Sequence, residues 1–352
     1  MRNKPIHVLG AGSIGILWTA SIRSRFPNYP ISLLLRDHET NRQKVNQSNC
    51  KTNQYLEISW NNRQLNESSE TLQLPVQFIN DSKHQQESIQ TLIVATKAHQ
   101  AKQAVESVLD RLLVQQKDTN DSNDKQSTDS SSLTQIILLC NGALSVREEL
   151  SKLLPTQQLS LATTTHGAYL ETPHKLVHAG VGTTFLKDTC DTMVDLWNDA
   201  KLECSAIPSQ QMESILWNKL AANCVINPLT SLYKCTNGEL LMEPSFFELQ
   251  ESILAEIAIV ASELSKQQPQ PQTNQIPTMD EMRDFVRQTI HATTHNKSSM
   301  YQDVHMHHQT TEVNHLNGFV VRKGRQLGTE CPANEDLCGR IAELTAQTAN
   351  KS

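Results

Sequence analysis

The sequence predicts an α/β protein in which an N-terminal Rossmann-type dinucleotide-binding domain is followed by an all-α C-terminal domain. Two observations carry that expectation. An apolar run enters a glycine-rich turn and then a helical pattern at the N-terminus, the local order of a strand, a phosphate-facing turn and a helix. The alternation of strand and helix patterns then stops near Pro208, and only helical patterns follow from Ser209 onward, so the domains are expected at 1–208 and 209–352.

The first strand is IHVLG, residues 6–10, and the turn is Gly10-Ala11-Gly12-Ser13-Ile14-Gly15. Gly10 permits the tight turn, Gly12 lets a pyrophosphate approach the backbone, and Gly15 allows close helix packing while the helix N-terminus faces the phosphates. ISLLLR, residues 31–36, is the second strand, and its end is where cofactor choice is read. Arg36 offers a fork of donors to a 2′-phosphate and argues for NADP, whereas Asp37, next in the chain, keeps an NAD reading open. TLIVATK (91–97), QIILLCNG (135–142) and LSLATTTHGA (159–168) are unbroken apolar runs suited to parallel strands buried on both faces. Their ends would bring Lys97, Asn141 and His166 to one crevice, since ligands in such sheets bind beyond the carboxyl ends of the strands. Residues 115–132 carry no aliphatic side chains, so 115–133 is expected to be a disordered surface insertion, and 266–277 a polar, Pro-rich loop between helices.

Helical patterns occupy 209–227, 244–265, 279–295, 297–325 and 333–347. In the first of them Lys219, Asn223 and Asn227 stand at i, i+4 and i+8, one stripe at about 100° per residue. Ile215 precedes them on that line, with Met212, Leu216 and Leu220 beside it, so the lysine sits at the margin of a buried face. Partial desolvation there favours release of its proton near neutral pH, as a general acid requires. Two asparagines in register with a lysine are poor helix formers, locally inconsistent unless something binds them. The helix should stop at Pro228. Asn237, in a Thr-Asn-Gly turn, can fold a further amide towards the same face.

Composition narrows the class. A formal net charge of -6 provides no basic field for nucleic acid. No apolar run approaches the roughly 20 residues that span a bilayer, and the N-terminus enters the first strand without a signal sequence, so a soluble cytoplasmic protein is expected. Eight cysteines without a CxxC pair suggest thiols in a reducing compartment. His291 and His295 at i, i+4 invite a metal reading, but no carboxylate or cysteine set completes it, and no metal is expected.

Taken with the glycine loop, Arg36, Lys97, Asn141-Gly142 and Thr163-Thr-Thr-His166, the block NKLAANCVINPLTSLYKCTNGEL resembles the 2-dehydropantoate 2-reductase, or ketopantoate reductase, family. SSMYQD at 298–303 and TEVNHLNGF at 311–319 add a second signature. The resemblance implies NADPH-dependent reduction of the small-molecule substrate 2-dehydropantoate to pantoate in coenzyme A synthesis. It implies Lys219 as proton donor, with Glu312 as a second catalytic group. Asn223, Asn227, Asn237 and Ser299 would be substrate contacts, and Gly10, Ala11, Gly12, Ser13, Ile14, Gly15, Arg36, Lys97, Asn141 and Ala168 the cofactor side. One departure concerns Glu312: the stretch from Ser299 is one residue longer than the family's spacing, which on a continuous helix would rotate Glu312 by about 100°. The oligomeric state stays open between monomer and homodimer. Other readings are a reductase of another branched 2-keto acid, a catalytically silent NADPH sensor, and an interaction protein built around the insertion.

Overall fold

The computed structural model describes residues 4–46, 55–62, 70–82, 84, 87–112, 134–187, 191–267, 276–306 and 310–349. The insertion expected at 115–133 lies outside the described residues, as does most of the 266–277 loop. The chain divides into two compact units, Met1–Pro208 and Ser209–Ser352.

The first unit is built on one sheet of eleven strands. In chain order the strands are β1 (Ile6–Leu9), β2 (Ile31–Leu35), β3 (Tyr55–Asn62), β4 (Glu70–Phe78), β5 (Thr91–Val94), β6 (Gln135–Leu138), β7 (Leu159–Thr164), β8 (Gly167–Thr172), β9 (Lys175–Gly180), β10 (Thr184–Lys187) and β11 (Cys204–Ile207). Their order across the sheet is β11-β10-β7-β6-β5-β1-β2-β4-β3-β9-β8. The helices are α1 (Ser13–Arg25), α2 (Glu39–Asn46), α3 (Ala98–Glu106), α4 (Ala143–Leu150) and α5 (Asp191–Asp199). The run from β4 through β2, β1, β5 and β6 to β7 is parallel throughout. β1, β2 and β5 are buried at every position, as expected of strands covered on both faces.

The connection reverses direction at β1, with β2 on one side and β5 on the other, the switch point at which doubly wound sheets open a crevice. α1 packs on β2, β4, β8 and β9, so the far end of the sheet curls around it. Trp18 of α1 and Trp197 of α5 are fully buried there and meet edge to face at 5.7 Å.

LSLATTTHGA is two strands, not one, since β7 ends at Thr164 and β8 begins at Gly167. At the break Gly182 comes so close that a Cβ on it would lie 2.3 Å from the Thr165 carbonyl carbon. β7 pairs antiparallel with β10 and β8 antiparallel with β9, so the two halves of the run belong to different parts of the sheet.

The second unit is helical in its described residues: α6 (Ser209–Tyr233), α7 (Phe246–Lys266), α8 (Met279–Ala292), α9 (Ser299–His305), α10 (Asn317–Leu327) and α11 (Pro332–Ala349), with short 3-10 turns at Gly238–Met242 and Val313–His315. α6 is the central helix and touches α7, α8, α9 and α11. Two expectations are corrected. α6 continues through Pro228 to Tyr233, because the carbonyl that the proline cannot serve, that of Cys224, accepts the Asn317 side-chain amide at 3.0 Å. Beyond the proline, Thr230 and Ser231 donate their hydroxyls to the carbonyls of Ile226 and Asn227, at 2.7 Å each. The helix expected over 297–325 is instead α9, the 313–315 turn and α10, because Leu316 takes a non-helical backbone (φ -104, ψ -97) between the last two. Among the described residues, no helix is long and apolar enough to cross a membrane, and no group of three or more His, Cys, Asp or Glu could hold a metal ion.

Candidate active site

The residues expected on the cofactor side, Ala168 apart, follow the carboxyl ends of neighbouring strands in the first unit's sheet. β2, β1, β5 and β6 are consecutive parallel neighbours. Arg36, the glycine turn, Lys97 and Asn141 each follow the carboxyl end of one of these four strands. The three glycines do different work. Gly10 adopts φ +114, and a Cβ on it would lie 2.8 Å from the Thr96 backbone nitrogen. Gly15 packs so closely that its Cβ would fall 1.9 Å from the Gly10 carbonyl oxygen. Gly12 is different: an added Cβ would meet nothing within 4 Å.

Gly12 is also the N-cap of α1, with extended backbone, no side-chain cap and no acidic residue in the first turn. Ala11 lies ahead of it, and Ser13 and Ile14 open the helix. A helix N-terminus carries unsatisfied amides and the positive end of the helix dipole. Open space in front of such amides is a cradle for phosphate, so the residues present fit a dinucleotide.

At the next strand end, Arg36 is exposed, and its carbonyl accepts from the His38 amide and the Asn41 side chain, both at 2.9 Å. Lys97 is the extended N-cap of α3. Asn141 precedes Gly142, which takes the left-handed conformation (φ 62) to start α4. Ala168 lies elsewhere, on β8, where it packs against the core around α1.

His166 does not line this edge. It is 5% exposed, its Nε2 lies 3.0 Å from the Leu202 carbonyl and its Nδ1 2.9 Å from Nε2 of His178, and its ring meets Trp18 edge to face. The Leu202 carbonyl can only accept, so Nε2 of His166 carries the proton and Nδ1 accepts from His178 and from the Gly182 amide at 3.2 Å. Burial holds both imidazoles neutral, pushing His178 down to about 4 and His166 below its ordinary value. The strand-end pattern suggested a cleft residue; the chain turns at Thr165-His166 and drives the ring inward.

In the second unit the lysine stripe stands on α6. Lys219 and Asn223 are half-buried and Asn227 is 8% exposed. Around them the helix buries Leu216, Leu220, Ala222, Cys224 and Ile226. Asn237 is held in place by its neighbours: its amide donates to the Asn296 carbonyl at 2.9 Å and its side-chain Nδ2 to Thr293 Oγ1 at 2.8 Å. Thr293 gives its own hydroxyl to the Thr289 carbonyl at 2.6 Å, so Oγ1 must accept, and the Asn237 amide is oriented with Nδ2 towards it. Gly238 makes this contact possible, since a Cβ there would lie 2.4 Å from Thr294 Cγ2.

Ser298 caps α9, accepting from the Tyr301 amide at 3.1 Å, and its hydroxyl lies 2.7 Å from Thr230 Oγ1 and 3.5 Å from the Asn227 carbonyl. The backbones of Asn227 and Asn237 thus both meet the segment 296–299, at Ser298 and Asn296, and Ser299 is exposed as the first residue of α9.

Glu312 is 7% exposed and precedes the 313–315 turn, with its carbonyl accepting from the amides of His315 and Leu316. The rotation expected from the longer spacing does not apply, because α9 ends at His305 and Glu312 lies outside any helix common to it and Ser299. Asn317 ties this segment to α6 at Cys224, next to Asn223. Thr293 and Asn317 are supporting residues whose distant partners no local pattern announces.

Two family models match the chain, ketopantoate reductase PanE/ApbA over residues 6–189 and ketopantoate reductase PanE/ApbA C terminal over residues 211–345. The chain is 36% identical over 217 residues to a 2-dehydropantoate 2-reductase of Vibrio cholerae, covering 59% of this chain and 68% of that protein. It is 28% identical over 337 residues to one of Yersinia pestis, covering 94% and 92%.

A PanE/ApbA family ketopantoate reductase from Ralstonia eutropha JMP134 shares the fold with a TM-score of 0.73 at 17% identity, covering 98% of this chain and 99% of that one. D-mandelate dehydrogenase, in its ternary structure with NADH and anilino(oxo)acetate, does so at 0.76 and 19% identity over the same shares. On the strength of the family match across both units, the chain belongs to the PanE/ApbA ketopantoate reductase family of oxidoreductases that act on a CH–OH group.

Proposed function

We propose that this protein reduces 2-dehydropantoate to (R)-pantoate with NADPH, a step in the synthesis of pantothenate and coenzyme A, and that Lys219 is the proton donor. The observation that carries the reading is the stripe Lys219-Asn223-Asn227 on the most enclosed helix of the second unit. There an amine and two amides line one face of a helix, a donor set suited to the oxygens of a small keto acid. The relatives named 2-dehydropantoate 2-reductase supply the substrate.

The glycine turn and the α1 N-terminus would hold the pyrophosphate, Arg36 the 2′-phosphate, and Lys97 and Asn141 the remainder of the cofactor, while Ala168, on β8 away from these strand ends, is left out of the proposed site. NADPH, when bound, supplies hydride to the ketone carbon C2. Negative charge then grows on the ketone oxygen, where the Lys219 ammonium stabilises it and hands over a proton. Asn223, Asn227 and Asn237 hold hydroxyl and carboxylate oxygens without adding charge, and Ser299 donates to the carboxylate. A carboxylate at Glu312 orients the lysine by charge, acting through Lys219 and not on the substrate.

The test is Lys219→Ala. Turnover is expected to fall by a factor of about 10² or more, the range of a lost general acid, while NADPH binding measured by calorimetry stays within about two-fold, a difference of less than half a kcal/mol. A variant with a near-normal rate removes Lys219 from the mechanism.

A further inference from the structure

The carboxylate beside Arg36 is the group whose chemistry opposes it. In a dinucleotide site an acidic side chain at the end of the second strand accepts from the ribose hydroxyls and selects NADH, and its charge repels a 2′-phosphate. Asp37 stands there, but both of its oxygens are engaged. Arg42 donates from Nε to Oδ1 at 2.5 Å and from a terminal nitrogen to Oδ2 at 2.7 Å, a two-pronged pair. These bonds hold the Asp37 carboxyl below the usual carboxylate range.

Arg42 is itself located by two features of the fold. It lies on α2, and its guanidinium carbon sits 5.1 Å over the Phe78 ring. Phe78 is the last residue of β4 and pairs with Leu35, the last residue of β2, so the arginine is anchored to the strand end that carries Arg36 and Asp37. The Asn41 amide and the His38 backbone, both on the Arg36 carbonyl, fix the turn between them.

We propose that Arg42 is a specificity-determining residue: by clasping Asp37 it removes that carboxylate as a ribose acceptor and as a negative neighbour of the 2′-phosphate, and so sets the preference for NADPH over NADH. Arg42 acts through Asp37 and is a positioning residue. The proposal rests on the reading that Arg36 meets the 2′-phosphate.

The experiment is calorimetric titration of NADPH and NADH into the full chain and into Arg42→Gln, Arg42→Gln/Asp37→Asn and Arg36→Ala, with kcat/KM for each cofactor alongside. Arg42→Lys is carried in parallel, because it keeps the charge without the fork. Arg42→Gln is expected to reduce the NADPH-over-NADH affinity ratio by about ten-fold, and the double variant to return it to within about three-fold of the parent. Arg42→Lys should fall between.

An unchanged ratio in Arg42→Gln, with the ratio collapsing in Arg36→Ala, overturns the role of Arg42 and leaves the reading of Arg36 intact. Unchanged ratios in both overturn that reading and the proposal with it. A double variant as impaired as Arg42→Gln overturns the clasp, because Arg42 would then meet the phosphate itself.

Discussion

Asn317 donates its side-chain amide to the carbonyl oxygen of Cys224 across 93 residues of sequence, and that carbonyl is the one left without a helical donor by Pro228. The same Nδ2 also reaches Asn334 Oδ1 at 3.0 Å, and Asn334 in turn bonds Glu256 at 2.7 Å. Glu256 accepts from the amides of Ala333 and Asn334 at the start of α11. A break in the helix of the proposed proton donor is thus closed by a buried polar chain running to α7 and α11.

Asn317→Leu is expected to lower stability by about 1–3 kcal/mol, the cost of leaving the buried Cys224 carbonyl and Asn334 oxygen without partners. Urea denaturation reads it as a fall in midpoint at constant slope. Because α6 carries the lysine stripe, kcat should fall in the same variant, with NADPH binding unchanged.

Two glycines of the same turn should respond oppositely to alanine. At Gly15 the new methyl would collide with the Gly10 carbonyl, and the protein should lose stability. At Gly12 it meets no protein atom and the backbone is one that alanine adopts (φ -80). Gly12→Ala should therefore melt like the parent while NADPH binding weakens by an order of magnitude or more, about 1.4 kcal/mol per ten-fold. Normal NADPH binding by Gly12→Ala would mean that phosphate does not enter there.

Acid should destabilise the first unit. His7 and His178 are both held down to about 4 by burial, with Arg111 and His84 adding to the effect at His7 and His166 at His178. The unfolded chain takes up these protons near 6.5 and the folded chain resists until about 4. Between those values the unfolded state binds more protons, so stability falls steadily as pH drops from 6.5 towards 4 and is level with respect to these groups above about 7.5. Melting temperatures across that range check the slope, and His178→Gln should reduce it.

Removal of the insertion should be harmless. Thr134 Oγ1 lies 3.3 Å from the Leu112 carbonyl and 2.9 Å from that of Ile89, so the described residues that flank the insertion, Leu112 and Thr134, lie side by side. Replacing residues 115–133 by a short Gly-Ser link is expected to leave kcat/KM within about two-fold, since loop length costs little free energy. A large loss of activity would give the insertion a functional role.

The sequence announces what is local. The β1-glycine-α1 unit, the buried strands β2, β5 and β6 and the helical stripe on α6 each sit within a short window and appear where the pattern puts them. Features that depend on distant partners do not announce themselves. Nothing near Pro228 tells that Asn317 will serve Cys224. β8 has no buried residue in its pattern, so no apolar alternation separates it from β7. His166 looks like a strand-end ligand until the turn at Thr165 places it against Trp18 and His178. Arg42 has no local signal because its partner, Asp37, lies outside its own helix, just past the end of β2.

The most direct test of the central claim is kcat/KM for 2-dehydropantoate against 2-oxoisovalerate, pyruvate and oxaloacetate with the purified full chain, followed as NADPH oxidation with NADH as the cofactor control. The account predicts a strong preference for 2-dehydropantoate with NADPH. A higher kcat/KM on one of the other keto acids, or NADPH binding without turnover of any of them, would contradict it.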